Sequence, residues 1–277
     1  MYYSAAAFCE LNTLKNWNCG AACQAVPGVT SFTQVADPTL TNFGYIAYNP
    51  SLNEVIVAYR GSHNIENWIN DIDAVKINYQ RAGSPAGAQV HGGFYRVYQS
   101  LSTQTDSAVK ALLNAHPSAS LVVTGHSLGA AVATFSAVDL KLAYPTHNIK
   151  FYTFGSPRPG NQAFSDFVTA LFPSTNYHRV VHTNDIVPHL PMIGLGFNHA
   201  GTEVWYDTEP TYKICENKAG SVENKGCSDS LTIVVPSAHK VYLGIKVTGQ
   251  CDKISPTMAS QDSSSAEFKN PDSFLEY

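Results

Sequence analysis

Residues 121–140 read LVVTGHSLGAAVATFSAVDL, and no other stretch restricts the fold as tightly. The apolar run LVVT has the length and β-branching of a buried strand. A helical pattern follows from about Leu128 to Ala143 and is closed by Pro145. Between the two lies Gly125-His126-Ser127-Leu128-Gly129, a G-x-S-x-G motif on a predicted strand-to-helix turn. Such a turn holds its serine at strained backbone angles, so the flanking positions must lack bulky Cβ groups. It lifts the hydroxyl above the sheet edge at a helix N-terminus, where partial positive charge favours an anion. The amide of Leu128 then faces a developing oxyanion. A glycine-rich turn with an incidental serine is the competing reading, and the strand before and the helix after argue against it.

The rest of the chain supplies matching elements. NEVIVAYRGS (53–62) and KFYTFGSP (150–157) read as two more strands. The segment 94–116 has helical periodicity, with Leu101, Val109, Leu112 and Leu113 on or near one face. Later strands are predicted near YHRVVHT (177–183), EVWYD (203–207) and LTIVV (231–235). Strands separated by helices of this length favour an α/β fold: a mainly parallel sheet with helices on both faces. No linker interrupts the first 250 of 277 residues, so residues 1–254 are expected to form one domain. The tail 255–277, rich in Ser, Asp and Glu, reads as a flexible extension, in part vector-derived.

Composition narrows the partners. Apolar residues make up 44% and charged residues 14%, which suits a large core under a nearly neutral surface. A net charge of −4 gives no basic stripe for nucleic acid and no strong attraction to anionic membranes. No apolar run reaches the roughly 18 residues of a membrane span. Cysteines 9, 19, 23, 215, 227 and 251 are even in number and gathered near the two ends, the pattern of three disulfides in a secreted protein. Cys19 and Cys23 lack a second pair at zinc-ligand spacing. The N-terminus lacks a signal-peptide pattern, so a mature form behind Met1 is expected, without an Asn-x-Ser/Thr sequon.

A serine hydroxyl attacks only when a base takes its proton and an acid orients that base. On this fold the order along the chain is Ser, acid, His. Asp139, Asp166, Asp185, Glu203 and Asp207 all lie downstream, and Asp185 stands out because it directly follows an apolar strand in VVHTNDIVPHLP. Among the histidines after it, His189 and His199 are near it in sequence. His239, after LTIVV, best suits a base that converges from elsewhere. His126 is excluded as base, since its side chain leaves the turn in the wrong direction.

With these residues in place, the chain resembles the secreted fungal-type class 3 lipases, of the Rhizomucor and Thermomyces kind, with feruloyl esterases as relatives. The likeness runs from about Tyr3 to Cys251 and is carried by VAYRGSHNIENWINDI, VHGGFY, VTGHSLGAAVA, YTFGSPRPGNQAF, VVHTNDIVPHLP and AHKVYLG. It implies an α/β-hydrolase fold with a helical lid, and a triad of Ser127 nucleophile, Asp185 acid and His239 base. It further implies an oxyanion hole at Ser62 and Leu128, and disulfides Cys9–Cys251, Cys19–Cys23 and Cys215–Cys227. Ala130 departs from the family, where many relatives carry a second glycine. A methyl inside a helix should be tolerated there.

The substrate is the finer question. In SHNIENWINDID the residues Ile65, Trp68, Ile69 and Ile72 are spaced i, i+3, i+4, i+7, one face of a short helix. The resemblance puts the lid here, at about 62–73. An apolar lid face favours a lipase acting on acylglycerols at a lipid–water interface; feruloyl esterase relatives are more polar here. The alternatives are a phospholipase A1 or esterase for soluble or cell-wall esters, and a catalytically dead lipid binder. A monomer is expected, with no metal or organic cofactor.

Overall fold

The computed structural model describes residues 1–253 except 40, 63, 207–210, 218–219 and 221–222. The expected tail, 255–277, and the candidate acid Asp207 therefore lie outside the described residues. Eight strands form one sheet in chain order: β1 (Thr30–Ala36), β2 (Phe43–Asn49), β3 (Glu54–Tyr59), β6 (Ser120–His126), β7 (Ile149–Phe154), β8 (Tyr177–His182), β9 (Thr202–Tyr206) and β10 (Lys213–Cys215). Strands β3 to β9 run parallel, whereas β1, β2 and β10 are antiparallel edges. Two hairpins stand apart from this sheet: β4 (Lys76–Asn78) with β5 (Gln89–His91), and β11 (Val241–Tyr242) with β12 (Ile245–Lys246).

Both sheet faces are packed, and strand β3 shows how. Its side chains alternate, Val55, Val57 and Tyr59 to one core, Ile56 and Ala58 to the other. The first core lies under α5 (Gly92–Ala115), α6 (Leu128–Ala143) and α7 (Gln162–Leu171). The second lies under α1 (Tyr2–Ala6), α2 (Leu11–Lys15) and α3 (Ala21–Ala25). Helix α6 is buried from Gly129 through Leu140, and its alanines let it sit close to β3 and β6. A helix apolar all round belongs in such a position. The methyl of Ala130 is fully buried there without disturbing the helix.

The predicted strands at 53–62, 121–125, 150–157, 177–183 and 203–207 correspond to β3, β6, β7, β8 and β9. LTIVV does not form a strand of the sheet. Only Val235 makes a bridge, to Asp185, and Ile233 is 75% exposed. That edge of the sheet is already occupied by β10, and Pro236 starts a 3-10 turn directly afterwards, so the apolar run has no strand to pair with. The cysteines are joined as Cys9–Cys251, Cys19–Cys23 and Cys215–Cys227. The first ties the end of the described chain to the segment just after α1, its two cysteines 242 residues apart in sequence. Among the described residues no helix is long and apolar enough to cross a membrane.

Candidate active site

The parallel strands end at one edge, and the site is assembled there. Ser127 sits between β6 and α6 at φ 60° and ψ −134°, a left-handed conformation that a side chain rarely adopts. The two motif glycines explain how the turn fits. A Cβ on Gly125 would lie 2.2 Å from the carbonyl oxygen of Gly129, and a Cβ on Gly129 2.3 Å from that of Tyr59. The turn therefore folds onto itself and onto the end of β3, with no room for side chains. Strand β3 leaves the sheet at this point, and Gly61 passes so close that a Cβ there would meet the His126 carbonyl at 2.7 Å and the Ser127 Cβ at 3.0 Å.

That passage brings Ser62 beside the elbow. Ser62 and Leu128 line one cavity of about 490 Å3, together with Trp68, Val97 and Leu101. The amide of Leu128 opens helix α6 and has no carbonyl one turn back to bond.

Asp185 and His239 meet at the same edge. The loop after β8 buries Asp185 completely, and its Oδ2 accepts from Nδ1 of His239 at 2.7 Å. The same oxygen accepts from the Tyr242 hydroxyl at 2.5 Å, while Oδ1 accepts from the Val187 amide at 2.9 Å. Burial first, and then the charge of Asp185, push the Tyr242 phenol well up, so it remains a protonated donor. Three donors thus fix the carboxylate, and the carboxylate fixes the His239 tautomer with Nε2 left as the acceptor. Neither Nε2 of His239 nor Oγ of Ser127 has a hydrogen-bond partner among the described residues. They are the two unpaired polar atoms of the site, and a nucleophile–base bond is of the kind that often forms only with substrate present.

His239 lies in the 3-10 turn Pro236–Lys240, held from below by two strand-end histidines. His182 bonds the Ala238 carbonyl through Nδ1 at 2.9 Å, and His126 bonds the His239 carbonyl through Nε2 at 2.9 Å. Burial, reinforced by neighbouring His239, depresses the His126 pKa far below its ordinary value, so this ring is neutral.

The other candidates are occupied. Asp139 is bound by Arg81 and Tyr98, and Asp166 by Gln162 and the Gly220 amide. Glu203 is paired with buried Arg179 at 2.9 Å and accepts from the Ser228 amide. His189 has both ring nitrogens on carbonyls, those of Asp185 and Ser228, and His199 bonds the Pro188 carbonyl. Sequence reasoning missed Tyr242, although it stands three residues after His239 in AHKVYLG. It also missed Arg158, which clamps the acid-bearing loop through the carbonyls of His189, Leu190 and Pro191.

A short helix covers this edge. Helix α4 (Ile65–Asp71) is narrower than the expected 62–73 and is capped by Asn64, which accepts from the Asn67 amide at 3.0 Å. Ile69 is buried, Ile65, Trp68 and Ile72 are half-buried, and Trp68 stacks on Phe94 with ring centres 5.9 Å apart. Asn67, Asn70 and Asp71 face water. Its apolar face is turned inward over the site.

This geometry has close counterparts. The family model described as Lipase (class 3) matches residues 56–195. A secreted mono- and diacylglycerol lipase 1 from Fusarium solani is 35% identical over 82% of this chain and 70% of its own length. A lipase from Rhizomucor miehei is 36% identical over 74% of this chain, but the match spans only 56% of that relative. A solved triacylglycerol lipase, described as having a serine protease triad for its catalytic centre, superposes with a TM-score of 0.80 at 31% identity, covering 89% of this chain and 94% of that one. The elbow, the shared cavity of Ser62 and Leu128, and these matches have one common reading: the chain belongs to the class 3 lipase family.

Proposed function

We propose that this protein is a secreted serine lipase whose catalytic domain, residues 1–254, hydrolyses acylglycerol esters at a lipid–water interface as a monomer. The observation that carries the reading is the buried His239–Asp185 pair, 2.7 Å apart, at the sheet edge where Ser127 stands on its strained elbow beneath an inward-facing amphipathic helix. Three disulfides and relatives named as secreted lipases support an extracellular setting.

Ser127 Oγ attacks the ester carbonyl while His239 Nε2 takes its proton, and Asp185 stabilises the imidazolium through Nδ1. The oxyanion accepts from the amides of Leu128 and Ser62, each such donor being worth about 3 kcal/mol in the transition state. His239 returns the proton to the leaving glycerol oxygen, and an acyl-enzyme remains on Ser127. Water, deprotonated by His239, then attacks the acyl carbon and releases the fatty acid. The steps call for no metal or organic cofactor. Helix α4 acts as the lid: its apolar face gains from leaving the site only where lipid can receive it.

The test is the rate on tributyrin from below to above its solubility limit, with Ser127→Ala alongside. A jump in rate as droplets form, absent in the variant, supports the interfacial lipase. Smooth saturation, still absent in the variant, keeps the nucleophile and moves the substrate to soluble esters.

A further inference from the structure

His126 is the ring the elbow motif leaves unspecified, and in this fold it has a definite place. It is 5% exposed, and its ring centre lies 4.3 Å from that of His239. Phe8 and Tyr242 close on it edge-on, with centres 6.0 and 5.4 Å away. Nε2 carries the proton to the His239 carbonyl at 2.9 Å, and Nδ1 has no partner among the described residues. An apolar ring of the same size would fill the space without burying that nitrogen. A mere filler is therefore better made of hydrocarbon, and what the imidazole adds is one N–H.

We propose that His126 is a positioning residue of the hydrolysis. Its Nε2–H anchors the backbone of the base while its face backs the imidazole, so that Nε2 of His239 stays directed at Ser127. The proposal rests on the Ser127–Asp185–His239 reading. The geometry favours an anchor because the base comes from a 3-10 turn rather than a strand, and the segment 231–235 before it forms no strand and meets the Asp185 loop through the bridge of Val235. The neighbouring carbonyl, that of Ala238, is held in the same way by His182 from β8. The turn carrying the base is thus pinned at two successive carbonyls to two strands of the sheet. Because His126 immediately precedes Ser127 in the chain, the nucleophile and the anchor of its base move as one unit.

The titratable groups around it are His239 on the 3-10 turn, Asp185 behind that ring, and Tyr242 on β11. None takes a proton from His126, whose single N–H is spent on a carbonyl.

The test compares His126→Gln with His126→Met, side chains of similar size of which only the first can donate to the carbonyl, and adds His126→Phe. Rates on emulsified tributyrin are divided by the fraction of active sites titrated with a phosphonate ester. The expected result is that His126→Met and His126→Phe lose about tenfold or more in kcat with KM within about twofold, while His126→Gln recovers most of the loss. His126→Phe no longer buries the unpaired Nδ1 but leaves the His239 carbonyl without its donor, so the recovery in His126→Gln and the kcat loss at constant KM, and not the melting temperature, separate positioning from a structural role. Equal rates for His126→Gln and His126→Met, or a His126→Phe enzyme within twofold of the parent, overturn the proposal. Ser127→Ala separates the two levels: activity surviving in that variant sinks the triad reading itself, whereas its loss beside a fast His126→Met sinks only the anchor.

Discussion

Glu66, in the first turn of the covering helix, reaches the ammonium of Lys240 at 3.0 Å, and Lys240 is the residue that follows His239. The covering helix and the turn carrying His239 are therefore joined directly, across 174 residues of sequence. Any motion that lifts α4 from the site breaks this pair. Both side chains are about half exposed, so the pair contributes at most about 1 kcal/mol and is weakened by salt. Lys240→Met or Glu66→Gln should raise hydrolysis of dissolved short-chain esters about two- to fivefold, because the open form becomes more populated in water. Rates on emulsions, where lipid already favours the open form, should change little. A rate on dissolved esters that is insensitive to both substitutions and to added salt would sink the latch.

Gly155 offers the sharpest test of the site's geometry. Its φ is +55°, and a Cβ there would lie 2.8 Å from Cε1 of His239, 2.8 Å from the Tyr242 hydroxyl and 2.9 Å from Oδ2 of Asp185. One methyl would press on all three at once, in a conformation already unfavourable for alanine. Gly155→Ala should cost about 100-fold or more in kcat, the scale expected when reacting groups are displaced by an ångström. Circular dichroism should show the fold retained, since the clash falls on three side chains at the end of the sheet and leaves the two large cores on either face untouched.

How much of this was legible in the sequence follows from what each position requires. Gly125 and Gly129 are imposed because a Cβ on either would lie 2.2 or 2.3 Å from a backbone oxygen, so the elbow announces itself in five residues. Asp185 is legible because it directly follows the apolar strand β8. His239 was reached from a strand at 231–235 that does not form; the residue stood out, but the support was wrong. Tyr242 and His126 act through partners 57 and 113 residues away, and no local pattern marks such a contact. Helices α1 to α3, five residues each, are too short to show a period, and β1 and β2 went unread with them.

Tyr242 should matter through the acid alone. Its hydroxyl donates to the carboxylate oxygen that also holds His239, and hydrogen bonds to charged groups contribute about 1.5–3 kcal/mol. Tyr242→Phe keeps the ring and its edge contact with His126. It should lower kcat by roughly tenfold with KM little changed, the rate equivalent of about 1.4 kcal/mol. Parallel losses in kcat and in the rate of phosphonate inactivation would place the defect in the attack of Ser127. A change confined to KM would remove Tyr242 from the reaction.

Acid should unfold the protein in two stages, and the signs can be worked out group by group. His126 and His199 are buried neutral: burial, with neighbouring His239 in one case and Arg179 in the other, depresses both far below the ordinary 6.5. The unfolded chain binds protons at these histidines first, so the stability they contribute is full above pH 6.5 and is lost as pH falls below it. Glu223 follows. Burial would raise its carboxyl, but neighbouring His199 and the charge and hydrogen bonds of Arg158 outweigh that and push it down to about 2 from 4.5. Its contribution is therefore complete above pH 4.5 and disappears between 4.5 and 2. Urea unfolding from pH 8 to 3 should show stability falling below 6.5 and then more steeply below 4.5. Glu223→Gln should flatten the second fall while costing about 3 kcal/mol at neutral pH, because it strips the buried Arg158 guanidinium of its bidentate partner. Since Arg158 also clamps the loop bearing Asp185, activity in that variant should fall before the fold does as the pH is lowered. A stability curve that is level from pH 7 to 5 would mean that the buried histidines take up protons in the folded protein as they do in the unfolded chain, and would count against their being buried neutral.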